Sequence, residues 1–477
     1  MEKSHLRKVI ISGDPAARGK QYGEKVKSLI EKSVGAYRKA FKGGAGVSWE
    51  KALDFSKTFV KRIKEFDETL LEELKGMAKG SGRILQEILI INLRTEILFG
   101  LRKLQEAEGC TSFCALPDIT RLGNTILGQN WDYKPFAAET MLLLQINQEK
   151  APDILTIVEA GQLARMGMNS AGLGICNNYI ECEADGMNME KGVPTTLIRR
   201  RALNQEKYYA VLGAITHTPR SFSGNYLVAT AEGEGDATDI EATPETAYFL
   251  FPKDGLIVHS NHIKGAGPGY VGTLRLGVEN SLYRDRRLEQ LLRKSAWKLD
   301  PREIMESLKD HFGYPLSVCR HPEEEKPWHD QWRTNASVIM DLTEGTFWAA
   351  RPPHQLGQFI AFDPKDPEKS LPTQAVAADP MLAAGYETYI SARTSLSNGW
   401  RALKKSDLYQ ANVCAESAER SNPGLYDNTW LRAEALFQQG KRPEAAQACR
   451  EALQRSPARA AERRRIEQLL GQSEARK

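Results

Sequence analysis

Hydrophobic and polar positions divide the chain into three textures. Trp49, Leu53, Phe59, Val60, Ile63, Phe66, Leu70 and Leu74 recur at near-helical spacing, with Ser48 placed to cap the start. Gly80, Ser81 and Gly82 interrupt that pattern. Ile84 to Phe99 reads as a second, more uniformly apolar helix, and a turn at Asp14-Pro15 opens another in ISGDPAARGKQYG. Residues 1–109 are therefore expected to be mostly helical.

After residue 110 the period changes. TSFCAL, NTILGQNWDY, TMLLLQIN, ILTIVEAG and LGICNNYI read as strands separated by turns. Pro194 to Leu203 reads as a helix with proline in its first turn. YYAVLGAI, YLVATAE, TAYFLF and GLIVHSNH read as strands again. Helices are expected over Leu282–Leu292 and Pro301–Asp310, then a strand pair in SVIMDL and TFWAAR. Strand pairs with intervening helices lack the regular alternation of a doubly wound sheet. The expected class is α+β, with a core over 110–360, a linker over 361–380 in the proline-rich run DPKDPEKSLPTQ, and a helical tail over 381–477.

In that tail Pro423 and Pro457 lie 34 residues apart, as do Ala411 and Ala445, Ala418 and Ala452, and Gly399 and Ala433. This is the period of a tetratricopeptide-like hairpin. An alanine-rich tail with an accidental period is the other reading. Two units need a surface to pack on, so they are expected to pack on the core or on a partner, the latter as a homodimer or protein contact through these helices.

Composition narrows the class further. The chain has 477 residues with 65 basic and 61 acidic side chains, which argues against nucleic-acid and membrane partners. No window approaches a transmembrane span, and only three apolar residues run together in MEKSHLRKVII. Seven cysteines, an odd number, fit a reducing, cytoplasmic setting rather than a disulfide framework.

The candidate chemistry begins at Cys110 in EAEGCTSFCALPD. The helical texture gives way to strands at the Gly109-Cys110 bond. A cut there would put a thiol nucleophile and a free α-amine on one residue. The amine's ordinary pKa of about 7.7–8 suits a base near neutral pH. The thiol, near 8.5, needs only modest electrostatic help. A cysteine taken alone is equally a small buried hydrophobe.

The text GDPAARGKQYG, EGCTSFCALPD, GQNWDY, EAGQLARMGMNSAGLGICNN, HSNHI and YPLSVCRHPEE, in that order, resembles the penicillin acyltransferase family. That family is also called acyl-coenzyme A:6-aminopenicillanic acid acyltransferase, and it belongs to the N-terminal nucleophile hydrolases. The resemblance implies a four-layer αββα sandwich and autocatalytic cleavage between Gly109 and Cys110, with the released N-terminal fragment kept in the fold. It implies Cys110 as nucleophile, Asp132 as an active-site aspartate, Asn261 as an oxyanion-hole donor, Ser112 as a processing residue and Arg320 as an arginine near the pocket. It implies no cofactor, with acyl-coenzyme A a possible acyl donor, and a small-molecule amide or N-acyl substrate.

Other readings stay open residue by residue. Asp132 also suits a turn cap beside Trp131, Asn261 a strand end, Arg320 a structural ion pair, and Cys114 inward packing. The loop DITRLGN before GQNWD is a little longer than in the penicillin enzyme, and nothing in the chain identifies a β-lactam pocket. Met166, Met168 and Ile175 are candidate apolar pocket residues, favouring a moderately apolar acyl group. A catalytically inactive scaffold acting through its helical tail is the alternative function. No metal site is expected: His259 and His262 lack partners at zinc spacing, and His311, His321 and His329 form no compact motif. HIKGAGPGYVG lacks a phosphate-loop signature, and LIRRRAL reads as helix surface.

Overall fold

The computed structural model describes residues 6–100, 109–265, 279–327, 330–350, 358–363, 374–375, 386–455, 457 and 460–475. It opens with strand β1 (Arg7–Ile11), followed by helices α1 (Pro15–Lys25), α2 (Lys27–Ala40), α3 (Trp49–Lys57), α4 (Val60–Phe66), α5 (Glu68–Ser81), α6 (Leu85–Asn92) and α7 (Arg94–Gly100). Local chemistry sets these boundaries. The Asp14 carboxylate accepts from the Ala17 amide at 2.8 Å, and Pro15 follows in the first turn. Ser48 caps α3 as expected. The periodic run from Trp49 to Leu74 is three helices rather than one, because Asp67 turns extended and caps α5 through the Thr69 and Leu70 amides. Gly82, at φ +71°, ends α5.

Strands β2 (Thr111–Ala115), β3 (Ile126–Tyr133), β4 (Met141–Ile146), β5 (Ile154–Glu159), β6 (Gly167–Asn169) and β7 (Leu173–Tyr179) come next, then α8 (Thr195–Leu203) and α9 (Tyr208–Thr216). YYAVLGAI, read above as a strand, is helix α9. Its short apolar run suits either element, and Val211 and Ile215 bury one helical face. After them run β8 (Gly224–Thr230), β9 (Asp236–Ala242), β10 (Ala247–Leu250), β11 (Leu256–His259), α10 (Glu279–Lys294), α11 (Pro301–Leu308), β12 (Arg333–Asp341), β13 (Thr346–Ala350), β14 (Gln358–Phe362) and β15 (Gln374–Ala375). Strand β9 escaped the pattern because it buries Thr238, Asp239 and Glu241, polar residues that mimic a loop. The tail contains α12 (Tyr386–Lys404), α13 (Leu408–Ser421), α14 (Tyr426–Gln438), α15 (Arg442–Gln454) and α16 (Ala460–Glu474).

Two sheets form. The first runs β1-β4-β5-β6-β7-β8-β9-β10 and the second β11-β2-β3-β12-β13-β14-β15. Every described pairing is antiparallel except β1 with β4. Helices α1, α8 and α9 pack on the first sheet, α10 and α11 on the second, and β2 and β3 face β7 and β8 across the middle. The result is a four-layer αββα sandwich. One apolar cluster fills the helix side of the first sheet, and another, containing Cys110, Cys114, Leu127 and Trp131, fills the space between the sheets. Residue alternation sorts side chains between them: on β7, Ile175 faces the helices and Cys176 the other sheet.

The chain divides into two compact units. Residues 1–310 and 332–376 make the first, and 311–331 with 377–477 make the second. The segment 311–331, expected within the core, thus clusters with the tail. In this second unit each helix from α12 to α16 packs on the next. A side chain at Gly399 would begin 2.5 Å from Leu431 Cδ2 and 2.9 Å from Cys414 Cβ, which accounts for the small residue there. Arg393 is buried and grips both parts of the unit: it pairs with Glu324 at 3.2 Å and Asp427 at 3.2 Å, and donates to Tyr314 Oη and the Pro322 carbonyl.

Candidate active site

Cys110 enters β2 on the face turned towards the first sheet, where Ser112 and Cys114 follow it at period two. It is 5% exposed. Burial pushes its thiol up. The Arg165 charge pulls it down, the Asp132 carboxylate pushes it up again, and the Asp132 backbone N–H and Arg284 pull it down.

Three side chains converge on this residue and the bond before it. Asn261 follows β11, the strand paired with β2, and a side chain at Gly109 would begin only 3.3 Å from Asn261 Nδ2. The Asn261 amide also donates to the Tyr179 carbonyl at 2.7 Å. Arg284, fully buried on α10, donates to the Cys110 carbonyl at 2.8 Å, Thr111 Oγ1 at 2.6 Å and Asn261 Oδ1 at 2.8 Å. It therefore fixes which way the asparagine amide faces. Asp132, at the end of β3, gives its backbone N–H to Cys110, while its carboxylate accepts from Thr334 Oγ1 at 2.7 Å.

Ser112 belongs to a polar layer beneath the cysteine. Its hydroxyl accepts from Asn178 Nδ2 at 2.7 Å, and that amide also reaches Asn225 Oδ1 and the His259 carbonyl. His259 Nε2 meets Glu241 Oε1 at 2.7 Å, fully buried. Burial opposes the imidazolium, yet Asp239 and Glu241 hold its pKa above the ordinary value. Burial also raises the neighbouring Asp239 to about 6.

Sequence pattern missed two guanidinium residues. Arg284 sits in a helix full of charges, and Arg165 in a glycine-rich loop. Arg165 lies 4.0 Å above the Trp131 ring, on the inter-sheet face that Cys110 shares. Of the proposed apolar pocket residues, Met166 and Met168 share the inter-sheet cluster with Cys110. Ile175 does not: it faces the helix layer, because Gly167 rather than Met168 is its cross-strand partner. Arg320 falls in the second unit, fully buried, 3.8 Å from Glu323.

The second unit also gathers His311, Cys319 and His321, which the sequence does not show as a cluster. The two Nε2 atoms are 2.7 Å apart, an imidazole–imidazole hydrogen bond. Two nitrogens on one tetrahedral zinc ion would sit about 3.3 Å apart. Among the described residues no helix is long and apolar enough to cross a membrane.

Two sheets face each other between helical layers, and Cys110 stands at the head of β2, in the apolar cluster between them. Residues 120–350 match the family described as acyl-coenzyme A:6-aminopenicillanic acid acyl-transferase. The chain is 28% identical over 325 residues to the 40 kDa form of acyl-coenzyme A:6-aminopenicillanic-acid-acyltransferase of Emericella nidulans, covering 67% of this chain and 85% of that protein. The resemblance read from the motifs is thus found independently, as a similarity to these enzymes. Solved structures with likeness include a variant of conjugated bile acid hydrolase from Clostridium perfringens (TM-score 0.40, 12% identity, 57% of this chain and 98% of that one). Penicillin V acylase from Agrobacterium tumefaciens is another (TM-score 0.36, 12% identity, 53% and 86%).

Proposed function

We propose that this protein is a self-processing cysteine enzyme that cleaves its own Gly109–Cys110 bond and then breaks or transfers amide-linked acyl groups. Cys110 Sγ attacks the Gly109 carbonyl, and the amide nitrogen leaves as the Cys110 α-amine. Water resolves the Gly109 thioester, leaving Gly109 as a carboxylate and the thiol free beside the amine already released. In the mature enzyme that amine takes the thiol proton, Sγ attacks the substrate carbonyl, and the departing amine takes the proton back. Water or an acceptor amine then resolves the acyl-enzyme, so hydrolase and acyltransferase share one intermediate. Acyl-coenzyme A would enter this scheme as an acyl donor rather than as a cofactor.

Asn261 Nδ2 is the donor for the developing oxyanion, and Arg284 positions it through Oδ1. The Asp132 N–H steadies the sulfur. The observation that supports this reading is the Arg284 guanidinium that joins the Cys110 carbonyl and Asn261 Oδ1, each at 2.8 Å, and so holds the asparagine amide beside the Gly109–Cys110 bond.

Intact-mass measurement after expression in a reducing host should find fragments of 109 and 368 residues that copurify. C110A should give one full-length chain without activity. A homogeneous, uncleaved wild-type chain after prolonged incubation would sink the processing step. An electrophilic acyl donor should label the amino-terminal Cys110 stoichiometrically. A correctly cleaved, folded sample that resists labelling would instead favour a scaffold acting through its tail.

A further inference from the structure

In the second unit the chain after His311 folds back on itself. Tyr314 N–H donates to the His311 carbonyl at 3.0 Å, Leu316 N–H to the Gly313 carbonyl at 3.1 Å and His321 N–H to the Pro315 carbonyl at 2.8 Å. Leu316 and Arg320 pair as an antiparallel bridge, and Gly313, at φ +84°, takes the left-handed turn that this requires. The fold-back lays His321 against His311, ten residues earlier, and brings Cys319 beside them. The sequence hid the set, because only this loop adds the thiol to the two imidazoles.

Three donor atoms meet there. His321 Nε2 is 2.7 Å from His311 Nε2 and 3.8 Å from Cys319 Sγ, and all three ligand atoms lie within 4.8 Å of one another. Tetrahedral zinc, with Zn–S of about 2.3 Å and Zn–N of about 2.0–2.1 Å, sets S···N at about 3.6 Å and N···N at about 3.3 Å. The sulfur edge already fits, and the imidazoles need to part by about 0.6 Å. His311 is half-buried, so its ring is the one that moves.

Cys319 carries no disulfide, and it and His321 are wholly buried. Burial keeps substrates from the thiol, which disfavours a second cysteine–histidine nucleophile. It does not keep out an ion entering past His311. A thiolate with two imidazoles suits zinc and its late first-row neighbours, whereas magnesium and calcium take oxygen ligands.

We propose that His311, Cys319 and His321 form a zinc site that pins the 311–321 loop. One sulfur–zinc and two nitrogen–zinc bonds form, and water takes the fourth position. The thiol proton is released to solvent. The Nε2 proton that the two imidazoles otherwise share passes to Nδ1 of the same ring, so binding frees one proton net and transfers no electron.

The test uses the full chain carrying C110A, so that no thiol–amine pair at residue 110 can take the ion. Stripped with a chelator and incubated with zinc chloride, the chain should leave a desalting column holding one zinc, counted by elemental mass spectrometry. X-ray absorption at the zinc edge should show one sulfur and two imidazoles, and cobalt(II) in its place should give a thiolate charge-transfer band. C319S and H311Q should each weaken zinc by roughly a hundredfold or more in competition with a chromophoric chelator, since outer-shell changes alone cost ten- to a hundredfold. Amide hydrogen exchange across 311–321 should slow when zinc is added. A chain that leaves the column without zinc overturns the proposal. So does an edge spectrum with no sulfur or with more than one, an affinity unchanged in C319S, or exchange across 311–321 that ignores zinc. Where C319S does not fold, the edge spectrum and the exchange of the parent chain decide.

Discussion

Single atoms decide the chemistry around Cys110. Removing the Asn261 amide should lower kcat by about a hundred- to a thousandfold, with KM little changed, because the donor acts on charge that develops only at the transition state. N261A kinetics on any turned-over amide check this, and N261A should also slow self-cleavage in a time course by mass spectrometry. A second prediction concerns pH. Asp239 is held protonated up to about 6 by burial, against an ordinary value near 3.8, so the native state binds a proton that the unfolded chain releases first. Its contribution to stability is therefore favourable in acid and lost as pH rises from near 4 through 6, to the extent of about 3 kcal/mol. D239N, which keeps an acceptor for Asn225, should gain in melting temperature over wild type at pH 8 and show no gain at pH 4. An equal offset at both values would contradict it. Cys110, Asp132 and Asn261 stood out in the sequence because short motifs surround them. Arg165 and Arg284 did not, because 65 basic residues look alike until burial separates them.

At the scale of elements, α1 and α5 touch backbone to backbone. A side chain at Gly19 would begin 1.9 Å from the Glu73 carbonyl oxygen, one at Gly76 2.3 Å from that of Ala16, and one at Gly80 2.1 Å from that of Lys20. Gly19 and Gly23 of GDPAARGKQYG are thus a packing surface, which also brings Glu73 to Arg18 and Arg200 at 3.1 and 3.2 Å. G76A should destabilise by about 2 kcal/mol or more, since neither backbone can yield. G35A, in open space within α2, should be neutral or up to about 1 kcal/mol stabilising. Thermal melts of the two variants separate close packing from simple helix propensity. Helix and strand texture were legible wherever one side of an element stays polar. The pattern misled at α9, whose uniform apolar run has no period, and at β9, whose Asp239 and Glu241 are buried beside Asn225 and His259.

Over the whole molecule, the course of the chain matters more than any element. It leaves the first unit after Asp310, returns at Trp332, and leaves again after Val376. The segment 311–331 carries Arg320 and is fastened to the tail by Arg393. The tail, expected to pack on the core or on a partner, thus also has a structural role within its own unit. R393M strands Glu324 and Asp427 as buried carboxylates without their cation, a loss of about 3–5 kcal/mol for such a group. Amide hydrogen exchange in R393M should accelerate both across 311–331 and in α14. Acceleration in α14 alone would show that the segment does not depend on the tail. That coupling was invisible in sequence, because the partners stand 69 and 34 residues from Arg393.

Strand β1 lies beside β4 in parallel, from Arg7 against Leu142 to Ile11 against Ile146, and α1 packs on it. A cut at residue 109 would therefore convert an edge strand into an intermolecular splice between two polypeptides. The short piece would become an obligate subunit, unable to diffuse away without unzipping a sheet and baring an apolar face. Two genes could then do the work of one. Residues 1–109 and a second chain starting at Cys110, supplied together, should assemble by strand complementation into the working heterodimer with no peptide bond ever broken.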